Sequence, residues 1–299
     1  MNIKLMYHIM PWEIDYALLT FTKLKKSKYF LSENHNIIID SVLNLSDDII
    51  NWDETKIPKE FFIHKYNTIS TLLNEFTHNS KIVQGNVFYG HLDLQRDAIQ
   101  SDIDYYIVLC PDMFFHEHLL EYLIQAANNV NNEYFVITPQ ICRMWDESWE
   151  ILTHPKFAVG PHYGWEHTSD IFDVEHYIQT SGESVKLTPI SQQKWAGWFD
   201  LYSKKFYEEL VPVYSEWSGY GGWDAYGLVV SEYAKQKGYD FQQYRLDGQI
   251  IFEYGVGPLV GKSFDSYYKE CIVKTDVSEQ RNKFNENLNS YILERINKL

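Results

Sequence analysis

The chain has 299 residues, 45% of them hydrophobic, which is enough for a substantial core and more than a bare peptide module requires. A formal net charge of -15 counts against nucleic acid and anionic membrane as partners unless a local basic patch overrides it, because a field of that sign repels phosphate. Three scattered cysteines (Cys110, Cys142, Cys271) exclude an even disulfide framework and point to a reducing, cytoplasmic setting, and no apolar run reaches membrane-spanning length.

In chain order, Ile3 to Met10 reads as a buried strand ended by Pro11-Trp-Glu13. Tyr16 to Phe30 has helical spacing through Leu18, Leu19, Phe21 and Leu24, and its basic run Lys23, Lys25, Lys26, Lys28 reads as a solvated face. Asn36 to Asp40 is a short strand expected to end in a carboxylate, and Asn44 to Phe61 a loop with a short helix. A helix over Lys65 to Phe76 and a strand or connection over Lys81 to Phe88 follow, then a helix start after Gly90. Asp104 to Phe115 is strongly apolar and runs through Asp112; Leu119 to Ala127 reads as a helix and Tyr134 to Pro139 as a strand.

Ile141 to Gln193 is irregular and reads as a loop that covers a substrate. Trp195 to Tyr202 reads as a strand, Ser203 to Leu210 as a short helix, and Ser218 to Gly222 as a glycine-rich bend before a helix opening at Asp224. Tyr239 to Leu246 and Gln249 to Tyr254 read as strands, Gly255 to Ser263 as a loop, and Val277 to Leu299 as a polar helix. Alternating strands and helices argue for one α/β domain with a mostly parallel sheet flanked by helices. Within it, 1–140 reads as a nucleotide-binding half, 141–260 as an acceptor and catalytic half, and 261–299 as a C-terminal loop and helix. In such sheets ligands bind at the carboxyl ends of the strands, where Pro11, Asp40 and Asp112 are expected to converge.

Aromatics make up 16% of the chain, and Trp217, Tyr220, Trp223 and Tyr226 surround Asp224. Flat rings beside a fixed carboxylate suit a sugar: the rings cover its C–H face and the carboxylate takes a hydroxyl proton. Three tempting signals fail on spacing. Gly257 to Ser263 has three residues between its glycines, where a phosphate loop needs four. Asp102-Ile-Asp104 precedes its strand and reads as a solvated turn. His116 and His118, placed on a helix, would diverge.

The order of motifs resembles the nucleotide-sugar glycosyltransferases of the GT-A fold. Pro11-Trp-Glu13 closes the first strand, Asp40 the second, Gly90 precedes Gln95-Arg-Asp97, and Cys110-Pro-Asp112 stands where the family has Asp-x-Asp. Ser218-Gly-Tyr-Gly-Gly-Trp-Asp224 is similar to the closing motif of inverting beta-1,4-galactosyltransferases. The resemblance covers residues 1 to 255 in motif order. It implies an Rossmann-like GT-A domain that moves a sugar from a UDP-sugar to a hydroxyl acceptor with inversion.

On that resemblance Asp224 is the general base. Pro11, Glu13, Asp40, Arg96, Asp112 and Lys262 are nucleotide contacts, and Trp195, Trp198, Tyr220, Gly222 and Trp223 line the sugar or acceptor subsite. Asp112 and Glu253 are candidate ligands for a divalent cation, Mn²⁺ or Mg²⁺. Cys110 replaces the first Asp of the motif, and a thiol is a poor ligand for a hard cation, so metal dependence stays open. A retaining transferase of the same fold and a non-catalytic carbohydrate- or nucleotide-binding homologue remain as alternatives.

Overall fold

A computed structural model of the chain describes residues 1–45, 51–52, 55, 57–84, 94–95, 97–143, 165–167, 185–190, 199–210, 234, 237–253 and 272–273. Its strands are β1 (Asn2–Ile9), β2 (Asn36–Asn44), β3 (Asn51–Trp52), β4 (Thr77–Val83), β5 (Tyr105–Leu109) and β6 (Met113–Phe115) in the first half. β7 (Tyr134–Arg143), β8 (Trp165–His167), β9 (Leu187–Ile190), β10 (Phe199–Ser203), β11 (Phe241–Glu253) and β12 (Ile272–Val273) follow. The helices are α1 (Ile14–Ser27), α2 (Lys59–Leu72), α3 (Leu119–Asn128) and α4 (Lys204–Leu210).

Ten strands form one sheet in the order β4-β2-β1-β5-β10-β7-β11-β6, with β8 beside β7 and β9 beside β11. β4, β2, β1, β5, β7, β11 and β8 share one direction, while β10, β6 and β9 run against it. The fold is α/β as the alternation predicts, and the sheet is mixed, with seven of its ten strands sharing one direction and three running against it. Strand direction is set by the path of the connections, and hydrophobic runs carry no record of it. The sheet also draws on both expected halves: residue 140 falls inside β7, and β10 inserts between β5 and β7.

Side chains alternate across a strand, so each face of β1 has its own neighbours. Tyr7 packs its ring 4.3 Å from Phe21 of α1. On the same face Ser41 meets the Tyr66 hydroxyl of α2 at 2.7 Å, and Tyr105 donates to Asn128 of α3. α4 covers the opposite face, where Tyr207 stacks on Tyr106 at 4.1 Å and its hydroxyl reaches Met6. Ile3, Leu5, Ile9, Ile107, Leu109, Leu201 and Ile137 are fully or nearly fully buried along the centre. Each such side chain contributes about 1.5–3 kcal/mol relative to exposure.

Several expected boundaries move. α2 spans Lys59–Leu72 rather than Lys65 to Phe76, and β4 spans Thr77–Val83 rather than Lys81 to Phe88. The stretch 141–193, expected as loop, holds the end of β7 and all of β8 and β9, because edge strands and strands paired far along the chain leave no local pattern. β2 runs on to Asn44, because its polar residues have partners inside the fold: Ser41 with Tyr66 and His78, and Asn44 with His8. The apolar run Asp104 to Phe115 is two strands, broken at Cys110–Asp112, and β6 turns aside to pair antiparallel with β11. β11 is one strand rather than two: Gly248, at φ +76°, absorbs an irregularity between Leu246 and Ile250 without ending the pairing.

Candidate active site at the carboxyl ends of β1 and β5

β1 and β5 are parallel neighbours, so their carboxyl ends open on the same edge. After Ile9 the chain stays extended at Met10, and Pro11 then opens a single 3-10 turn, Pro11–Glu13. Proline suits that place because its fixed φ fits a first helical turn and its missing N–H has no partner to lose. Glu13 folds back, and its Oε2 accepts the Met10 N–H at 2.8 Å. Glu13 is thereby fixed at the mouth of the edge, with α1 starting immediately behind it.

On β5 the turn Cys110–Asp112 leads into β6. Thr20 of α1 clamps it, its hydroxyl lying 2.7 Å from the Pro111 carbonyl and 2.9 Å from that of Met113. This latch brings the start of α1 against the turn. Asp112 is buried there, at 7% exposure. Glu13 and Asp112 therefore both lie just past the ends of adjacent strands, near enough for the charge of Asp112 to act on Glu13.

Burial, and after it the negative charge of Asp112, push the Glu13 carboxyl up to about 8, against the pull of the Met10 N–H. Tyr16, one helical turn on, is pushed up to about 12 by burial, then by Asp112 and Asp15. At neutral pH Glu13 thus keeps its proton, held chiefly by burial and secondarily by the nearby charge of Asp112. A native-state value above the unfolded one, about 4.3, means the folded protein holds the proton longer. Stability is then greatest below the unfolded value and is lost as pH rises toward about 8. Glu13→Gln keeps an acceptor for Met10 and removes the titration. Urea melts are expected to show the variant gaining on wild type by on the order of 3 kcal/mol between about pH 4.5 and 8.5; parallel pH profiles contradict the arrangement.

β11 reaches the same edge. Glu253 pairs in register with Met113, the residue after Asp112. The backbone thus carries Glu253, the second candidate metal ligand, to the neighbourhood of the first. Oxygen donors of this kind suit a hard divalent cation, which would also offset the crowding of two acids. Cys110, half-buried in the same turn, adds a soft donor that such a cation disfavours. No group of three or more His, Cys, Asp or Glu with metal-holding geometry occurs among the described residues.

Pro11, Glu13 and Asp112 are therefore brought together, and Asp40 is not. Asp40 lies in the middle of β2, opposite Met6, rather than at its end. Its carboxylate lies 3.0 Å from the fully buried Lys4 Nζ and accepts from Asn79 at 2.7 Å. Asp40 thus makes an ion pair within the sheet, which corrects its expected placement at a strand end. His116 and His118 precede α3 and do not diverge: their rings stack at 4.9 Å. Arg96, Trp195, Trp198, Tyr220, Gly222, Trp223, Asp224 and Lys262 lie outside the described residues, and Glu253 is described in its backbone only.

Sequence reasoning missed Tyr16, whose signal was its position three residues after Glu13 on the same helical face. It also missed the buried pair of His8 and Asn44, 3.2 Å apart, near the same edge. Each is a polar residue enclosed by apolar neighbours, Tyr7 and Ile9 or Leu43 and Leu45. A shallow hollow of about 510 Å³ lies at the opposite edge, bordered by Asn131, Asp240 and Tyr244, away from the two acids.

No protein-family model matches the sequence, and no curated protein matches it either. A solved structure described as the crystal structure of a mycobacterial protein is similar, with a TM-score of 0.49 and 9% identity over 99% of this chain and 75% of that one.

Proposed function

We propose that the chain is a GT-A-type glycosyltransferase that moves a sugar from a UDP-sugar to a hydroxyl acceptor with inversion. The observation that supports it most is the meeting of Glu13, Asp112 and the backbone of Glu253 at the carboxyl edge of the sheet. That edge is where α/β sheets bind nucleotides. Asp112 and Glu253 would hold Mn²⁺ or Mg²⁺, which supplies charge neutralisation for the departing diphosphate. Pro11 and Glu13 shape the floor under the nucleotide, with Arg96 and Lys262 completing the pocket on the family resemblance.

In the transfer, the acceptor oxygen attacks the anomeric carbon as the bond from that carbon to the diphosphate oxygen breaks. Asp224 takes the acceptor proton, and the sugar leaves with inverted configuration. Trp195, Trp198, Tyr220, Gly222 and Trp223 form the sugar and acceptor subsite, where rings cover C–H faces. The setting proposed is the cytoplasm. Among the described residues no helix is long and apolar enough to cross a membrane.

Cys110 favours a second reading, a nucleotide- or carbohydrate-binding homologue without turnover. Incubation with a panel of nucleotide sugars and Mn²⁺, followed by NMR of the anomeric protons, separates the readings. An inverted product or inverted hydrolysis product supports the transferase. A retained anomer points to the retaining alternative. Binding without turnover across the panel supports the binding protein.

A further inference from the structure

The lysine run on α1 is more than a solvated face. Five large hydrophobic side chains are exposed among the described residues, and three belong to this one stretch: Leu19 at 52%, Tyr29 at 75% and Phe30 at 40%. Leu19, Thr22, Lys26 and Tyr29 recur at i, i+3, i+7 and i+10, so they form one outward stripe down the helix and the 3-10 turn that extends it. Phe30 joins the stripe to the loop before α3, its ring 3.9 Å from that of His118. His118 in turn stacks on His116 and Tyr122.

The charges on this face divide in two. Lys25 and Lys28 are tied to Glu75. Lys23 and Lys26 have no acidic partner among the described residues, and they flank the exposed rings. Two unneutralised lysines beside Leu19, Tyr29 and Phe30 contrast with a chain of net charge -15.

From this juxtaposition we infer that the outer face of α1 and the 3-10 turn after it is a docking surface for an anionic lipid bilayer. Charge complementarity selects the occupant's sign. The exposed rings select its kind: a soluble acidic partner satisfies the lysines but leaves a convex row of apolar side chains in water. A bilayer interface takes both, because tyrosine and phenylalanine sit at headgroup level and lysines reach the lipid phosphates. The surface lies on the helix whose first turn carries Tyr16, one turn before Leu19. The stripe runs along α1 from Leu19, the nearest of its residues to the carboxyl edge, to Tyr29 and Phe30 at the far end of the helix. The docking itself does not depend on the transferase reading.

Co-sedimentation of the whole chain with vesicles of phosphatidylcholine plus phosphatidylglycerol, against phosphatidylcholine alone, tests it. Wild type is expected to sediment with the anionic vesicles only, and to be released by salt. Lys23→Glu with Lys26→Glu is expected to weaken partitioning by at least about 25-fold, two lysines each acting near the surface. Tyr29→Ser, at a position too exposed to disturb the core, is expected to weaken it severalfold while leaving the salt dependence. Failure to bind either vesicle, equal binding to both, unchanged binding of the variants, or capture by a soluble polyanion without vesicle binding overturns the inference.

Discussion

Asp224→Asn is expected to lower sugar transfer by about 10²–10⁴-fold, the usual contribution of a positioned base. Nucleotide affinity should stay near wild type, because this carboxylate faces the incoming alcohol in the proposed reaction and not the leaving diphosphate. Asp112→Asn provides the contrast. It removes a carboxylate from the edge shared by β1 and β5, so both nucleotide binding and transfer should suffer. It should also let Glu13 fall toward the ordinary carboxylate range, since the Asp112 charge is one of the two causes raising it. Steady-state rates and nucleotide titrations on both variants separate the two roles. Transfer by Asp224→Asn within about tenfold of wild type removes it as the base.

Asp40→Ala is expected to destabilise the fold by about 3–5 kcal/mol, because it strands the fully buried Lys4 ammonium without its counter-charge. Lys4 and Asp40 lie on the adjacent parallel strands β1 and β2, so the loss falls between two interior strands of the sheet. The double variant Lys4→Met with Asp40→Ala should recover most of the loss, since replacing a whole buried pair by apolar groups is often near neutral. Urea melts of the two single variants and the double give the coupling directly. A loss below about 1 kcal/mol in Asp40→Ala, with weakened nucleotide binding instead, restores Asp40 to the nucleotide site.

The parts of this fold legible in the sequence are those decided locally. Tyr105 to Leu109 is an unbroken apolar run, Ile3 to Ile9 is apolar apart from Lys4 and His8, and the helical spacing of α1 and α3 is plain. The expected convergence of Pro11 with Asp112 followed from one general rule: both follow strands that run in parallel. Features decided by distant partners were hidden. Asp40 looks terminal after Ile37-Ile38-Ile39, and its partners Lys4 and Asn79, on the strands to either side, give it a place inside β2. β4 is an edge strand, mostly exposed from Thr77 to Val83, so it shows no alternation to read. The turn at Cys110 was masked by the apolar residues after it, whose pairing partner lies far along the chain in β11. The direction of β10, antiparallel between two parallel neighbours, leaves no mark in Phe199 to Ser203.

The most direct test of the proposed site is calorimetric titration of UDP into wild type and Asp112→Asn, with and without Mn²⁺. A nucleotide site built on the carboxyl edge of β1, β5 and β11 predicts tight binding by wild type only when Mn²⁺ is present, and loss of that Mn²⁺ effect in Asp112→Asn. Equal UDP binding by both proteins, with Mn²⁺ making no difference to either, contradicts it.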